Sequence, residues 1–119
     1  MRIFKCQIHF LSETDASIGT SPATVFTCPS ATQSTIIGLS VANRTTAQIL
    51  VDVQLDASGR TSGAEDSVYM VKDAPVPAGS TVVVVGGDQK VVMEPGDAVI
   101  VTSDTAASAD VILSHLDIT

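Results

Sequence analysis

The sequence predicts an all-β fold: a single antiparallel β-sandwich, jelly-roll or immunoglobulin-like, of about eight to nine short strands. Three observations point there. Val, Ile and Thr make up about a third of the 119 residues, and these β-branched side chains fit a pleated surface better than a helix. Apolar and polar residues alternate with period two in several segments. Turn-forming Gly, Pro, Asn, Asp and Ser recur between those segments, and no stretch offers an amphipathic helix.

The elements follow in order. Ile3–Leu11 reads as strand one, with Phe4, Cys6, Ile8 and Phe10 on one face and Lys5, Gln7 and His9 on the other. Ser12–Pro22 is rich in Ser, Thr, Asp and Gly and reads as a long loop or arm. Ala23–Cys28 is strand two, closed by Pro29. Thr35–Ala42 and Ala47–Leu55 read as a hairpin turning at Asn43–Thr46, with one wet side made by Gln48, Asp52 and Gln54. Asp56–Ser67 is the most polar loop. Val68–Lys72 is a strand stopped by Pro75 and Pro77.

Ser80–Val85 contains a continuous Val run, which suggests burial on both faces. Gly86-Gly87-Asp88 signals a hairpin turn into Lys90–Met93. Glu94-Pro95-Gly96-Asp97 reads as a type I or II turn into Ala98–Thr102. Ser103–Ala109 is a small-residue loop, and Asp110–Ile118 is the last strand. The domain is residues 1–119, with 1–22 a candidate N-terminal strand or arm. The expected core is Ile37, Leu39, Val41, Ile49, Val51, Val53, Val83, Val99 and Leu113.

Composition narrows the function. The net charge is −7 and the six basic residues are scattered, so nucleic acid and anionic membrane are poor partners. Val82–Val85 is far too short to cross a bilayer, and Arg2–Leu11 lacks the continuous apolar core of a secretory signal. Hydrophobic residues reach 45% but aromatics only 3%. That much aliphatic surface exceeds what one small core needs, so a homo-oligomer is expected, a trimer by preference. The expected interface residues are Phe4, Cys6, Ile8, Phe10, Val82 and Val84, with the apolar stripe of residues 1–22 contacting a neighbouring subunit or closing its own sheet beside the last strand.

Candidate chemistry is sparse, and neither a catalytic site nor a cofactor or metal is expected. Gly86–Lys90 lacks the glycine spacing and following helix of a phosphate loop. His9 and His115 fall on the polar faces of terminal strands, where solvent exposure is expected. Asp97, Asp104 and Asp110 flank one loop and Asp56, Glu65 and Asp66 another, without calcium-loop spacing, and read as solvated charge. Asn43-Arg44-Thr45 matches a glycosylation acceptor but also suits a tight turn. Cys6 and Cys28 form no disulfide framework and read as buried free thiols.

One resemblance rests on particular segments. Thr24-Val25-Phe26-Thr27-Cys28-Pro29 precedes an apolar strand, Ile36 through Asn43. Val71 to Gly79 follows as Val-Lys-x-Ala-Pro-Val-Pro-x-Gly, then Gly86–Lys90, the Pro95–Asp97 turn, and a Ser-Asp-Thr-Ala loop before the last strand. This pattern resembles the small virion structural proteins of tailed bacteriophages, particularly those of cyanobacteria. The resemblance implies a particle component located in the virion and assembled in the host cytoplasm. It would bind major capsid, neck or tail proteins, as a capsid decoration protein or a small neck or tail component, and would not be an enzyme. The alternative is a carbohydrate- or receptor-binding sandwich at a fibre or tail tip, although such platforms usually use exposed aromatics, and this chain has no Trp and one Tyr.

Overall fold

The structure is a computed structural model and describes residues 7–60 and 66–119. The described residues form nine strands and no helix: β1 (Ile8–Ile18), β2 (Ala23–Thr27), β3 (Gln33–Asn43), β4 (Ile49–Asp56), β5 (Val68–Val76), β6 (Thr81–Val85), β7 (Val91–Met93), β8 (Ala98–Ser103) and β9 (Ala109–Ile118). One sheet runs β1-β9-β3-β6, with β7 also on β3; the other runs β2-β8-β4-β5. All pairings are antiparallel.

β6 and β7 occupy successive stretches of the same edge of β3. Val82 faces Val41 and Val85 faces Leu39, then Val91 faces Ile36 and Met93 faces Ser34. They are one strand interrupted by the excursion Gly86–Lys90. Counted as one, they bring the first strand beside the last, the second beside the next to last, and so inward. Two Greek keys wound this way make a jelly roll. The glycine turn therefore does not close a hairpin: the strands on either side pair with β3, not with each other. Nor do β3 and β4 form the expected hairpin, because the chain crosses between sheets after Asn43. That side chain is buried. Its amide nitrogen donates to the carbonyls of Ala47 (2.7 Å) and Val76 (2.9 Å), while its oxygen accepts from the N–H of Thr45 (2.8 Å). Asn43 is thus the corner of the crossing, and its nitrogen is already occupied.

The core lies between the sheets: Ile36, Leu39, Val41, Ile49, Val51, Val53, Val76, Val85, Met93, Val99, Val101, Val111 and Leu113 are buried. Two expected core residues are not. The β3–β9 register shifts between Ile36 and Gly38, so Ile36 turns inward and Ile37 is only half-buried. A bulge inserts one residue and reverses the alternation behind it. Val83 points outward, leaving the Val run buried on one side only. Val82 and Val84 are half-buried and pack against the core.

β1 differs most from expectation. Residues 8–18 form one strand, paired with β9 from Ile8–Ile118 to Asp15–Val111, so much of the expected loop is sheet. Ser12, Thr14 and Ser17 do not prevent this, because backbone pairing needs no apolar side chain and Ile18 anchors the far end in the core. Deleting residues 1–22 is therefore expected to abolish cooperative unfolding, since it strips the edge from β9 and removes Ile18. A folded, monomeric truncation product in circular dichroism and sedimentation would contradict this. β5 runs through Pro75 because it is an edge strand, where a missing N–H costs no ladder bond.

Candidate functional site

The candidate site is the outer face of the β1-β9-β3-β6/β7 sheet. Directly opposed strand residues share a face, so the register defines its rows. One row is Phe10, Leu116, Thr35 and Val92; the next is Ser12, Ser114 and Gly38; the third is Thr14, Ile112, Ser40 and Val83. Ile8 and Ile118 extend the first end, and Asp110, Ala42 and Thr81 the other. The large side chains are open to solvent: Phe10 74%, Val83 66%, Ile8 58%, Val92 52% and Ile112 50% exposed. Beside them lies a shallow groove of about 370 Å³, lined by Thr14, Ala16, Ser40 and Ile112 and, at its end, by the carboxylate-bearing Asp15 and Asp110.

Charge is almost missing from this face. Among its described strand residues only Asp110 is ionic, at one end, where it accepts from the Ser17 N–H (2.9 Å) and pairs with Arg44 (3.3 Å). The outer face of the other sheet mixes charged and polar side chains with apolar ones: Asp52 opposes Thr102, and Gln54 lies between Ile100 and Tyr69. There Lys72 bonds Asp52 at 3.1 Å and lies 5.2 Å from the Tyr69 ring centre. Partial burial works against the Asp52 carboxylate, but the Asp73 N–H and the Lys72 ammonium outweigh it and hold its pKa below the usual 3.8. A depressed folded-state value adds stability above the unfolded value, lost as pH falls through the folded one. Asp52→Asn should therefore cost under about 1 kcal/mol at neutral pH, the pair being solvent-screened. The difference from the parent should close below pH 3.8, as read by denaturant midpoints at two pH values. A gap that persists in acid would show that charge is not its source.

Of the expected interface residues, Ile8 and Phe10 stand on the apolar face. Phe4 and Cys6 lie outside the described residues, and Val82 and Val84 turn toward the core. Ile112, Leu116 and Ile118 were not anticipated there. The signal was the unbroken run Val111-Ile112-Leu113, since a strand apolar on successive residues is apolar on both faces.

His115 is corrected from exposed to buried. Its ring stacks on Phe26 with centroids 4.0 Å apart. Nδ1 lies 2.6 Å from Asp117 Oδ1 and Nε2 2.9 Å from Glu13 Oε2. Both ring nitrogens thus lie within hydrogen-bonding distance of a carboxyl group, and which of them donates depends on the tautomer. The Ser34 hydroxyl also donates to Asp117, at 2.7 Å, and Cys28 Sγ lies 3.4 Å from Ser34 Oγ. Ser34 thus meets the carboxylate rather than the imidazole. The network ties β1, β3 and β9 together. His9 is exposed, against Gln7.

The loop carboxylates are also internally bonded. Asp97 is fully buried, not solvated: it accepts from Arg60 Nε (2.8 Å) and Nη2 (3.0 Å) and from the Glu94 N–H (3.1 Å). The turn needs glycine at 96, where φ is +93° and a Cβ would fall 1.9 Å from the Gly59 carbonyl oxygen. Asp56 accepts from Ser58 and Ser67, bonds that hold its pKa below the usual carboxylate value, and Asp104 accepts from the Leu50 N–H (3.1 Å). Glu65 lies outside the described residues. No group of three metal-ligating side chains is assembled among the described residues.

No family model and no curated protein matches the chain. Several solved chains resemble it, two of them as follows. One is a chain of the Bacillus endospore appendages, a family of disulfide-linked pili, with TM-score 0.53 and 13% identity over 96% of this chain and 88% of that one. The other is a chain of the T13 IBDV viral particle, with TM-score 0.58 and 9% identity over 95% of this chain. This chain spans 30% of the length of the IBDV chain. At such identities the likeness is one of fold.

Proposed function

We propose that the chain is a structural protein of a tailed-bacteriophage virion, binding other virion proteins as a capsid decoration protein or a small neck or tail component. The observation that carries this reading is the apolar, nearly charge-free outer sheet face. Left in water, Ile8, Phe10, Val83, Val92 and Ile112 form the kind of patch that soluble monomers avoid and assembly components use. The sequence resemblance supplies the phage setting, and the two fold neighbours belong to an appendage and a viral particle. The partners are further copies of the chain and major capsid, neck or tail proteins. Repetition on a symmetric particle multiplies each weak contact. No catalytic step is part of this role. Unlike a disulfide-linked pilus subunit, the chain offers no thiol for linkage among its described residues, since Cys28 is buried and free.

The test is to probe fractions of a lysate from infected cells with antibody to the protein. It should sediment with capsids or tails and resist a salt wash. Recovery solely from the soluble fraction would overturn the reading.

A further inference from the structure

We propose that the apolar outer face is covered by a second copy of this chain, in a two-fold, face-to-face dimer. The inference rests on the assembly role above and names the partner of its apolar face. Three properties of the face select a copy of itself. The first is charge. Two chains of net charge −7 repel, and among the described residues this face and its groove bring in two carboxylates, Asp15 and Asp110, the second already paired with Arg44.

The second is area. Four strand tracks of about ten residues, at roughly 3.4 Å per residue and 4.8 Å between strands, present about 600 Å². Two such faces bury roughly 1,200 Å², the lower end of stable interfaces.

The third is shape. A surface that meets its own copy must be self-complementary about the two-fold axis. The small central row, Ser12, Ser114 and Gly38, is where an axis running across the strands can pass. Rotation about it lays the row of Phe10, Leu116, Thr35 and Val92 over the partner's row of Thr14, Ile112, Ser40 and Val83. The largest side chain then meets one of the smaller ones: Phe10, projecting from β1, sits over the edge of the groove formed by Thr14 and Ala16. The same contact occurs twice, and the two sheets stack as the layers of a sandwich do. A trimer would need two different patches, and a face carrying both its projection and its recess needs one.

The test is sedimentation equilibrium of the full chain, without any particle. The parent should be a dimer at micromolar concentration. Ile112→Lys and Phe10→Lys should each weaken it by roughly 30-fold or more, with the melting transition of the subunit kept, because both side chains are at least half exposed. Gln54→Lys, on the outer face of the other sheet, should leave the dimer intact. A parent that is monomeric or trimeric overturns the proposal, as does a dimer indifferent to both lysines or equally sensitive to Gln54→Lys. A monomer that still sediments with particles would sink the pairing and leave the virion role. A dimer absent from particles would do the reverse.

Discussion

Val51→Asp is expected to abolish folding. Val51 lies in the middle of β4, fully buried, with Ser103 of β8 on one side and Ala74 of β5 on the other. Its side chain points into the space between the sheets, among aliphatic residues. An aspartate there would bring in a charge with no cation and no donor to meet it. Burying an unpaired carboxylate costs several kcal/mol even after the structure relaxes, and the whole stability of such a domain is about 5–15 kcal/mol. β4 is also an interior strand of its sheet, so it cannot turn its face without breaking two ladders. The variant should be insoluble or lack a cooperative melt by circular dichroism. A soluble variant with a sharp transition would place Val51 on the wrong side of the sheet.

The second large effect is expected at Arg60. Its guanidinium bonds the buried Asp97 through two nitrogens and Glu94 at 2.9 Å, joining the loop after β4 to the turn before β8. Arg60→Met leaves the Asp97 charge buried with one backbone donor, and breaking such a pair from one side costs about 3–5 kcal/mol. Adding Asp97→Asn removes the orphaned charge while keeping an acceptor for the Glu94 N–H. The double variant should therefore be more stable than Arg60→Met alone. Denaturant midpoints of the three proteins decide it. A loss under about 1 kcal/mol in Arg60→Met would mean that water, rather than Arg60, satisfies that carboxylate.

What the sequence determined by itself is local. Period-two alternation in Thr35–Ala42 and Ala47–Leu55, and the turn residues at Asn43, Gly86 and Pro95, follow from side-chain sterics and backbone conformation. They placed most of the nine strands close to where they stand, while β1 runs on to Ile18 and β5 to Val76, past the expected ends at Leu11 and Lys72. The inward set Leu39, Val41, Ile49, Val51, Val53, Val99 and Leu113 was legible for the same reason, as was the apolar face of β1 at Ile8 and Phe10. What only the tertiary structure decided is pairing, and everything that depends on a partner distant in sequence. A strand does not encode its neighbour, so β3 and β4 look like a hairpin until they are found in opposite sheets. Val82–Val85 looks buried on both faces until β6 and β7 are found sharing one edge of β3. The bulge at Ile37 is a property of the β3–β9 register, and it moved Ile36 rather than Ile37 into the core. Charge depends on partners in the same way. Asp97 and His115 read as exposed because polar side chains seek water, and both are buried because Arg60 in one case, and Glu13 and Asp117 in the other, replace that water at distances the chain acquires only when folded.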